Sequence, residues 1–366
     1  MTTGIVSTRA WQLLDLLADG EFHSGEVLAA RLGVTRTTVF NALAEVDDFG
    51  VKLQRIRGRG YRLARPWQRL QREEILRGLG KDAHQFDIEI MLQAASSNTV
   101  LLQRIGADGM TRRAQASGAG MPSPRLLPQS AGSASNVSEA DVANGGVPSG
   151  SVLAVELQTA GRGRRGRVWY SGLGTALTFS LLWRFDRGLN DLSGLSLAVA
   201  VAIVRALDKL GAQGVMLKWP NDILTAQGKL AGVLVEAQGD MLGPSAVVIG
   251  IGLNCTLPAG LLPQIGKSAC ALDDLCAVLP TRNQLLALLL MELARVLHHF
   301  ATSGFAPFRE EWERYHFHQN KPVRLQLGEG QEVNGMARGV NDRGELCLET
   351  AQGMRCFNSG ELGAQQ

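Results

Sequence analysis

Seven residues, Gly161-Arg162-Gly163-Arg164-Arg165-Gly166-Arg167, restrict this chain more than any other segment. Three glycines carry a backbone entropy cost that opposes helix and strand alike, and four like charges in so short a run repel one another unless an anion lies among them. The segment therefore reads as a loop that meets a phosphate or carboxylate, with glycines admitting the ligand to the backbone and guanidinium forks gripping it. Such a loop is expected to be mobile when empty and ordered when an anion binds. It is neither a P-loop nor a dinucleotide fingerprint, because the GK[ST] ending and the GxGxxG spacing are missing. A plain basic surface loop, or an RGG-like RNA-binding patch, would satisfy the same residues.

Its neighbours narrow the choice. The loop follows a strand pattern, Val152 to Gln158, and is followed by Lys218-Trp219-Pro220-Asn221-Asp222, where a rigid Trp-Pro pair separates a lysine from an Asn-Asp pair. Asn-Asp alone is also an ordinary turn former. Lys229 heads the apolar run Leu230 to Val235. A lysine there is commonly a strand-edge guard, but beside an anion-binding loop it becomes a candidate for stabilising negative charge in acyl or phosphoryl transfer. A further strand, Val247 to Asn254, carries Gly250 and Gly252 at alternate positions, which leaves room for a ligand or another chain segment.

The N-terminal segment has its own logic. Leu13, Leu14, Leu16 and Leu17 share a helical face, and a second helix starts at Ser24. A tight turn at Leu32-Gly33-Val34 leads to a third helix, Arg36 to Val46, which Thr35 can cap. Two short helices joined by a glycine turn form the helix-turn-helix signature, and the exposed face of the second offers Arg36, Thr37, Thr38 and Asn41 to phosphates and base edges. Val51 to Leu63 reads as a hairpin with Gly58-Arg59-Gly60 at its tip. Positions 52–65 hold six basic residues and no acid, so Arg57, Arg59 and Arg62 can serve as a phosphate-gripping wing. A small helical cap with a solvated basic hairpin, acting only as a docking module, is the other reading.

With 366 residues, the chain has room for two to three domains at about 150 residues each. Its 45% hydrophobic content excludes a wholly disordered chain, and a net charge of +3 excludes a histone-like polycation. The five cysteines (255, 270, 276, 347, 356) are odd in number and form no CxxC pair, so reduced thiols in a cytoplasmic protein are expected. The N-terminus lacks a basic segment followed by an apolar core, and the apolar stretch Leu197 to Val204 is far shorter than the ~20 residues of a membrane span. Breaks near Pro66 and Asn320 divide the chain into 1–66, 67–319 and 320–366. Residues 111–150, with 24 of 40 positions Gly, Ala, Ser or Pro, read as a flexible insertion within the middle domain. Trp67 to Leu79 reads as an acidic helix, a capping box at Thr281 and Gln284 opens a long amphipathic helix, and short alternating strands with a turn at Asn341-Asp342-Arg343-Gly344 follow Lys321.

These motifs, in this order and spacing, resemble the bifunctional biotin protein ligases of the BirA type, which are also biotin operon repressors. The resemblance rests on the winged helix ending in Gly60-Tyr61-Arg62-Leu63, on Gly161 to Trp169, on Lys218 to Asp222 and on Lys229-Leu230-Ala231-Gly232, and it covers the chain except 111–150. It implies a multidomain α+β protein: an N-terminal winged helix-turn-helix, a central α/β catalytic domain like that of class II aminoacyl-tRNA synthetases, and a C-terminal SH3-like β-barrel. It implies biotin contacts at Ser96, Ser97, Asn98, Gln158, Gly161, Arg162, Gly163, Arg164, Lys229 and Gly232. Nucleotide contacts are implied at Arg164, Arg167, Trp169, Asn221, Asp222, Lys229 and Asn254, with Lys229 and Arg164 catalytic. The implied reaction uses ATP, biotin and Mg²⁺ to make biotinyl-5′-AMP and then biotinylates a lysine of a biotin carboxyl carrier protein. The adenylate-bound homodimer would bind operator DNA, and no membrane is involved. A lipoate-type ligase, or a ligand-sensing transcription factor without ligase activity, is the alternative. Ser97 stands where the family has threonine, Gly228 where an arginine is common, and no arginine follows Gly360-Glu361 closely.

Overall fold

A computed structural model describes residues 5–65, 67–116, 146–258 and 268–364. The expected boundary at Pro66 and the 117–145 part of the expected insertion lie outside these residues.

Three helices open the chain: α1 (Thr8–Leu16), α2 (Gly25–Leu32) and α3 (Arg36–Asp48). Each starts where a hydroxyl accepts a backbone N–H, from Ser7, Ser24 and Thr35 respectively. Gly33 ends α2 in the left-handed region, φ 62°, which sets the tight turn into α3. Leu13, Leu14, Leu28, Val39, Leu43 and Val46 form the buried centre. The hairpin β1 (Leu53–Ile56) and β2 (Gly60–Leu63) packs beside them as a wing, tied on by His23 and Tyr61, which exchange backbone hydrogen bonds of 2.9 and 2.8 Å.

Trp67 to Gln71 is not helical, contrary to the expected helix from Trp67; α4 spans only Arg72–Leu79. Side chains from distant elements claim the intervening amides: Leu70 N–H donates to Glu156 Oε1 (2.6 Å) and Gln71 N–H to Asn283 Oδ1 (2.8 Å). β3 (Asp87–Ala94) follows, then α5 (Ser97–Ala116). Residues 111–116, expected to begin a loop, therefore continue the helix. They contain neither glycine nor proline and hold two alanines, so nothing local stops the helix there.

β4 (Ser151–Gln158), β5 (Ala176–Phe185), α6 (Leu195–Lys209), β6 (Met216–Lys218), β7 (Asp222–Thr225), β8 (Gly228–Gly239) and β9 (Ser245–Asn254) complete a seven-stranded sheet in the order β3-β4-β5-β9-β8-β7-β6. Among the described strands of this sheet, β3 and β4 are the one pair that runs parallel. Two apolar helices cover one face: α6 and α7 (Arg282–Ser303), the latter opened by the Thr281–Gln284 capping box. By length and composition α7 could cross a membrane, but Leu285, Leu289, Leu293, Val296 and Phe300 are buried in the core here. α8 (Arg309–Arg314) leads to a second, five-stranded antiparallel sheet of β10 (Pro322–Gln326), β11 (Glu332–Val340), β12 (Leu346–Thr350), β13 (Gly353–Phe357) and β14 (Glu361–Ala364). Its order is β13-β12-β11-β10-β14.

Two cysteines depart from the expectation of free thiols. Cys347 and Cys356 face each other across β12 and β13 with Cα atoms 4.3 Å apart and are joined as a disulfide. Cross-strand register, which residue spacing does not reveal, brings them together. Cys255 and Cys270 are buried free thiols, and burial pushes Cys255 up to about 12.

The second sheet joins the first through Tyr315 to His318: Leu217 N–H donates to Tyr315 O and Phe317 N–H to Leu217 O, both at 2.8 Å. His316 and His318 are buried at this seam, and neither His316 Nε2 nor His318 Nδ1 has a hydrogen-bond partner among the described residues. Burial first, then the charge of Lys218, pulls His318 down from 6.5 to about 4. Between those pH values the unfolded chain binds a proton that the folded one refuses, so stability falls as pH drops through this window. Tm is expected to decline from pH 7 to pH 4.5, and the decline should flatten in His318→Leu; parallel Tm–pH curves would assign the dependence to other groups.

Candidate active site and nucleic-acid interface

β4, α5, β8, β9 and the glycine-arginine loop enclose a cavity of about 710 Å³. One end is polar and buried. Ser96, Ser97 and Asn98 lie at the start of α5, where Ser97 N–H donates to Gln158 Oε1 (2.8 Å). Ser180, on β5, donates to Ser97 Oγ (2.7 Å), and Asn98 Nδ2 donates to Leu234 O (3.2 Å) and Glu236 Oε2 (3.0 Å). The floor is glycine for a steric reason. A Cβ at Gly250 would lie 2.2 Å from Asn98 Oδ1, and one at Gly252 would lie 2.4 Å from the Trp169 ring. Gly232, opposite Gly252 in the sheet, leaves space for the Lys229 ammonium.

At the other end, Lys229 Nζ donates to Asp222 Oδ1 (2.5 Å) and sits 5.6 Å from the Trp169 ring centroid. Arg164 Nη1 reaches Asn221 Oδ1 at 3.5 Å, and Asn221 Nδ2 donates to Val233 O (2.9 Å). Burial, and then the Arg165 charge, draws the Arg164 guanidinium below its ordinary value, which marks a place where an anion would relieve the strain of a desolvated cation. Asn254 Nδ2 donates to the Lys229 and Cys270 carbonyls (3.2 and 3.1 Å), holding the lysine-bearing strand. Trp169 Nε1 is buried with no hydrogen-bond partner among the described residues, and its ring lies over Gly252.

Of the residues anticipated to contact biotin or nucleotide, all but one line this cavity, Arg162, Gly163 and Arg167 included. Gly161 does not. It is buried against Trp169, whose N–H it accepts at 2.9 Å, and a Cβ there would meet Trp169 O at 2.5 Å; its part is to close the base of the loop. The loop itself is a small hairpin, with Gly163 N–H donating to Arg167 O (2.8 Å) and left-handed turns at Arg165 and Gly166. The expected like-charge repulsion is answered from within the protein. Arg162 pairs with Glu236 (2.7 Å), while Arg165 (3.9 Å) and Arg167 pair with Glu361.

Sequence reasoning missed Ser180, Glu236 and Glu361. Ser180 left a signal, a hydroxyl amid the apolar run of β5, and Glu361 sits in the Gly-Glu pair noted above. Glu236 left none, since a glutamate near a strand end is commonplace.

The wing and α3 form the second candidate site. Arg59 and Arg62 stack on the Phe22 ring at 4.5 and 4.6 Å, and Arg36 is paired with Glu26 (2.9 Å). Arg57, Thr37 and Asn41 are exposed. Thr38 is turned to the cap instead: its N–H donates to Thr35 Oγ1 (3.2 Å), and the two hydroxyls are 2.9 Å apart.

A winged helix joined to an α/β domain with a cation-lined cleft and followed by a small sheet defines a DNA-linked ligase architecture. The chain belongs to the family of bifunctional biotin protein ligase/repressors. It matches an HTH domain over residues 9–62, the Biotin/lipoate A/B protein ligase family over 131–254, and the Biotin protein ligase C terminal domain over 318–362. It is 32% identical to the bifunctional ligase/repressor BirA of Escherichia coli, over 96% of this chain and 95% of that one. The corresponding protein of Bacillus spizizenii is 28% identical over 97% and 98%. Among solved structures, Aquifex aeolicus biotin protein ligase in complex with biotin and ATP has a TM-score of 0.50 at 29% identity, covering 59% of this chain and 89% of that one.

Proposed function

We propose that this protein activates biotin with ATP to biotinyl-5′-AMP and transfers biotin to a lysine of a biotin carboxyl carrier protein. The observation that carries this reading is one cavity with a buried hydroxyl-amide end at Ser96 to Asn98 and a cationic end at Arg164 and Lys229. The first suits the ureido ring of biotin. The second lies where a carboxylate must approach a phosphate, and two cations offset the repulsion between those anions. The carboxylate oxygen attacks the α-phosphorus and pyrophosphate leaves. Arg167, Trp169, Asn221, Asp222 and Asn254 line the same cavity and would hold the nucleotide. The carrier amine then attacks the acyl carbon and AMP leaves, so no protein nucleophile is required. Gly161, Arg162, Gly163 and Gly232 fit the biotin-facing wall of the pocket, Gly161 by shaping the loop.

Mg²⁺ fits as a phosphate-borne ion that neutralises charge on ATP, because the cavity lining among the described residues offers only two carboxylates, Asp222 and Glu361. The proposed domain limits are 1–66, 67–319 and 320–366, with a synthetase-like central fold and an SH3-like C-terminal one. The protein would act in the cytoplasm, and its adenylate-bound homodimer would repress biotin-synthesis genes through the two wings.

Incubation with ATP, biotin and a biotin carrier domain should attach biotin to one carrier lysine, seen as a single mass increment. Labelling with lipoate in its place would overturn the biotin assignment. For the repressor half, Arg59→Ala/Arg62→Ala should weaken duplex binding and lower the slope of log K against log salt by about two. An unchanged slope would remove these side chains from the phosphate contacts.

A further inference from the structure

Helix α3 buries Val39, Ala42, Leu43 and Val46 and leaves Arg36, Thr37, Phe40, Asn41 and Ala44 exposed. Phe40 is the unexpected member, 60% exposed in the second turn of the helix that a helix-turn-helix presents to DNA. Phe22, before α2, has its ring covered by Arg59 and Arg62, whereas Phe40 is 60% exposed. Thr37 and Ala44, three residues before and four after, add methyl groups on the same face. Arg36, the first residue of the helix, is held by Glu26 on α2. Phe40 thus adds an apolar group to a face that also carries Arg36 and Asn41, and the separate wing hairpin supplies the cations Arg57, Arg59 and Arg62.

An exposed aromatic ring on the helix that a helix-turn-helix presents to DNA fits one feature of the major groove, the 5-methyl group of thymine, which is the apolar mark among base edges. Asn41, the next residue along, carries the amide suited to N6 and N7 of adenine, thymine's pairing partner. We infer that Phe40 is a specificity-determining residue that packs on a thymine 5-methyl group, so that Phe40 and Asn41 together read A·T pairs in each half-site. This rests on the repressor reading above. Burial of one methyl group is worth about 0.8 kcal/mol, or roughly 4-fold in affinity.

The test uses the full chain with biotin and ATP. A pool of random-sequence DNA duplexes is selected for binding, and the thymines of an enriched duplex are replaced one at a time by deoxyuridine, which removes only the methyl. Deoxyuridine at one thymine per half-site should weaken wild-type binding about 3- to 10-fold. Phe40→Ala should bind the thymine and deoxyuridine duplexes equally, with the wild-type salt slope retained and carrier biotinylation unchanged. If wild type tolerates every deoxyuridine, or if Phe40→Ala still discriminates, the inference fails while DNA binding stands. If no duplex is enriched at all, the repressor reading fails and takes this inference with it. Phe40→Ala loss of binding to another protein, with duplex affinity intact, would reassign the face to a protein partner.

Discussion

Lys229→Ala should slow biotinyl-adenylate formation by about 10²- to 10³-fold, the cost of removing a pre-positioned charge from a developing oxyanion. The lysine is fixed from three sides: Asp222 holds Nζ at 2.5 Å, Trp169 lies 5.6 Å from it, and Asn254 grips its backbone carbonyl. Such a group stabilises transition-state charge without reorganising, so the loss should fall on kcat for pyrophosphate release more than on the KM for biotin. Lys229→Arg would keep the charge but not the fit beneath Gly232, and should recover little. Pyrophosphate release by Lys229→Ala within a few-fold of wild type, with Tm unchanged, would remove Lys229 from the chemistry.

Glu156→Leu should destabilise the protein by about 3–5 kcal/mol, because it strands a buried cation. Glu156, 0% exposed on its side chain, holds Arg282 Nη1 at 2.6 Å and also accepts the Leu70 N–H. Arg282 stacks over Trp67, which in turn packs on Trp11 of α1, with ring centroids 6.4 Å apart. This one carboxylate therefore links β4, α7 and the segment leading from the winged helix. The readout is the urea midpoint at constant m. The double variant Glu156→Leu/Arg282→Met should regain most of the loss, since no charge remains buried. A double variant no more stable than the single one would show that packing, not charge, carries the effect.

Local chemistry explains what was legible in the residues. Hydroxyl caps at Ser24, Thr35 and Thr281 mark helix starts because they bond to amides three residues on. The alternate glycines of β9 and the lysine heading β8 announced a ligand-facing strand pair, and the cavity lies against both. The Trp67 helix was misread for the opposite reason. Its amides are captured by Glu156 and Asn283, residues 86 and 212 positions away in the chain, and no local pattern reports such partners.

The sequence by itself determined the helix starts, the basic wing and the residues able to meet an anion, because propensity, capping and charge act over a few neighbouring positions. Only the tertiary structure decided how those arginines are neutralised: by Glu236 from β8 for Arg162, and by Glu361 from β14 for Arg167. It also paired Cys347 with Cys356 and excluded Gly161 from the cavity. Each of these depends on which strands lie side by side and in what register, and that is set by burying a shared core, not by any short run of residues.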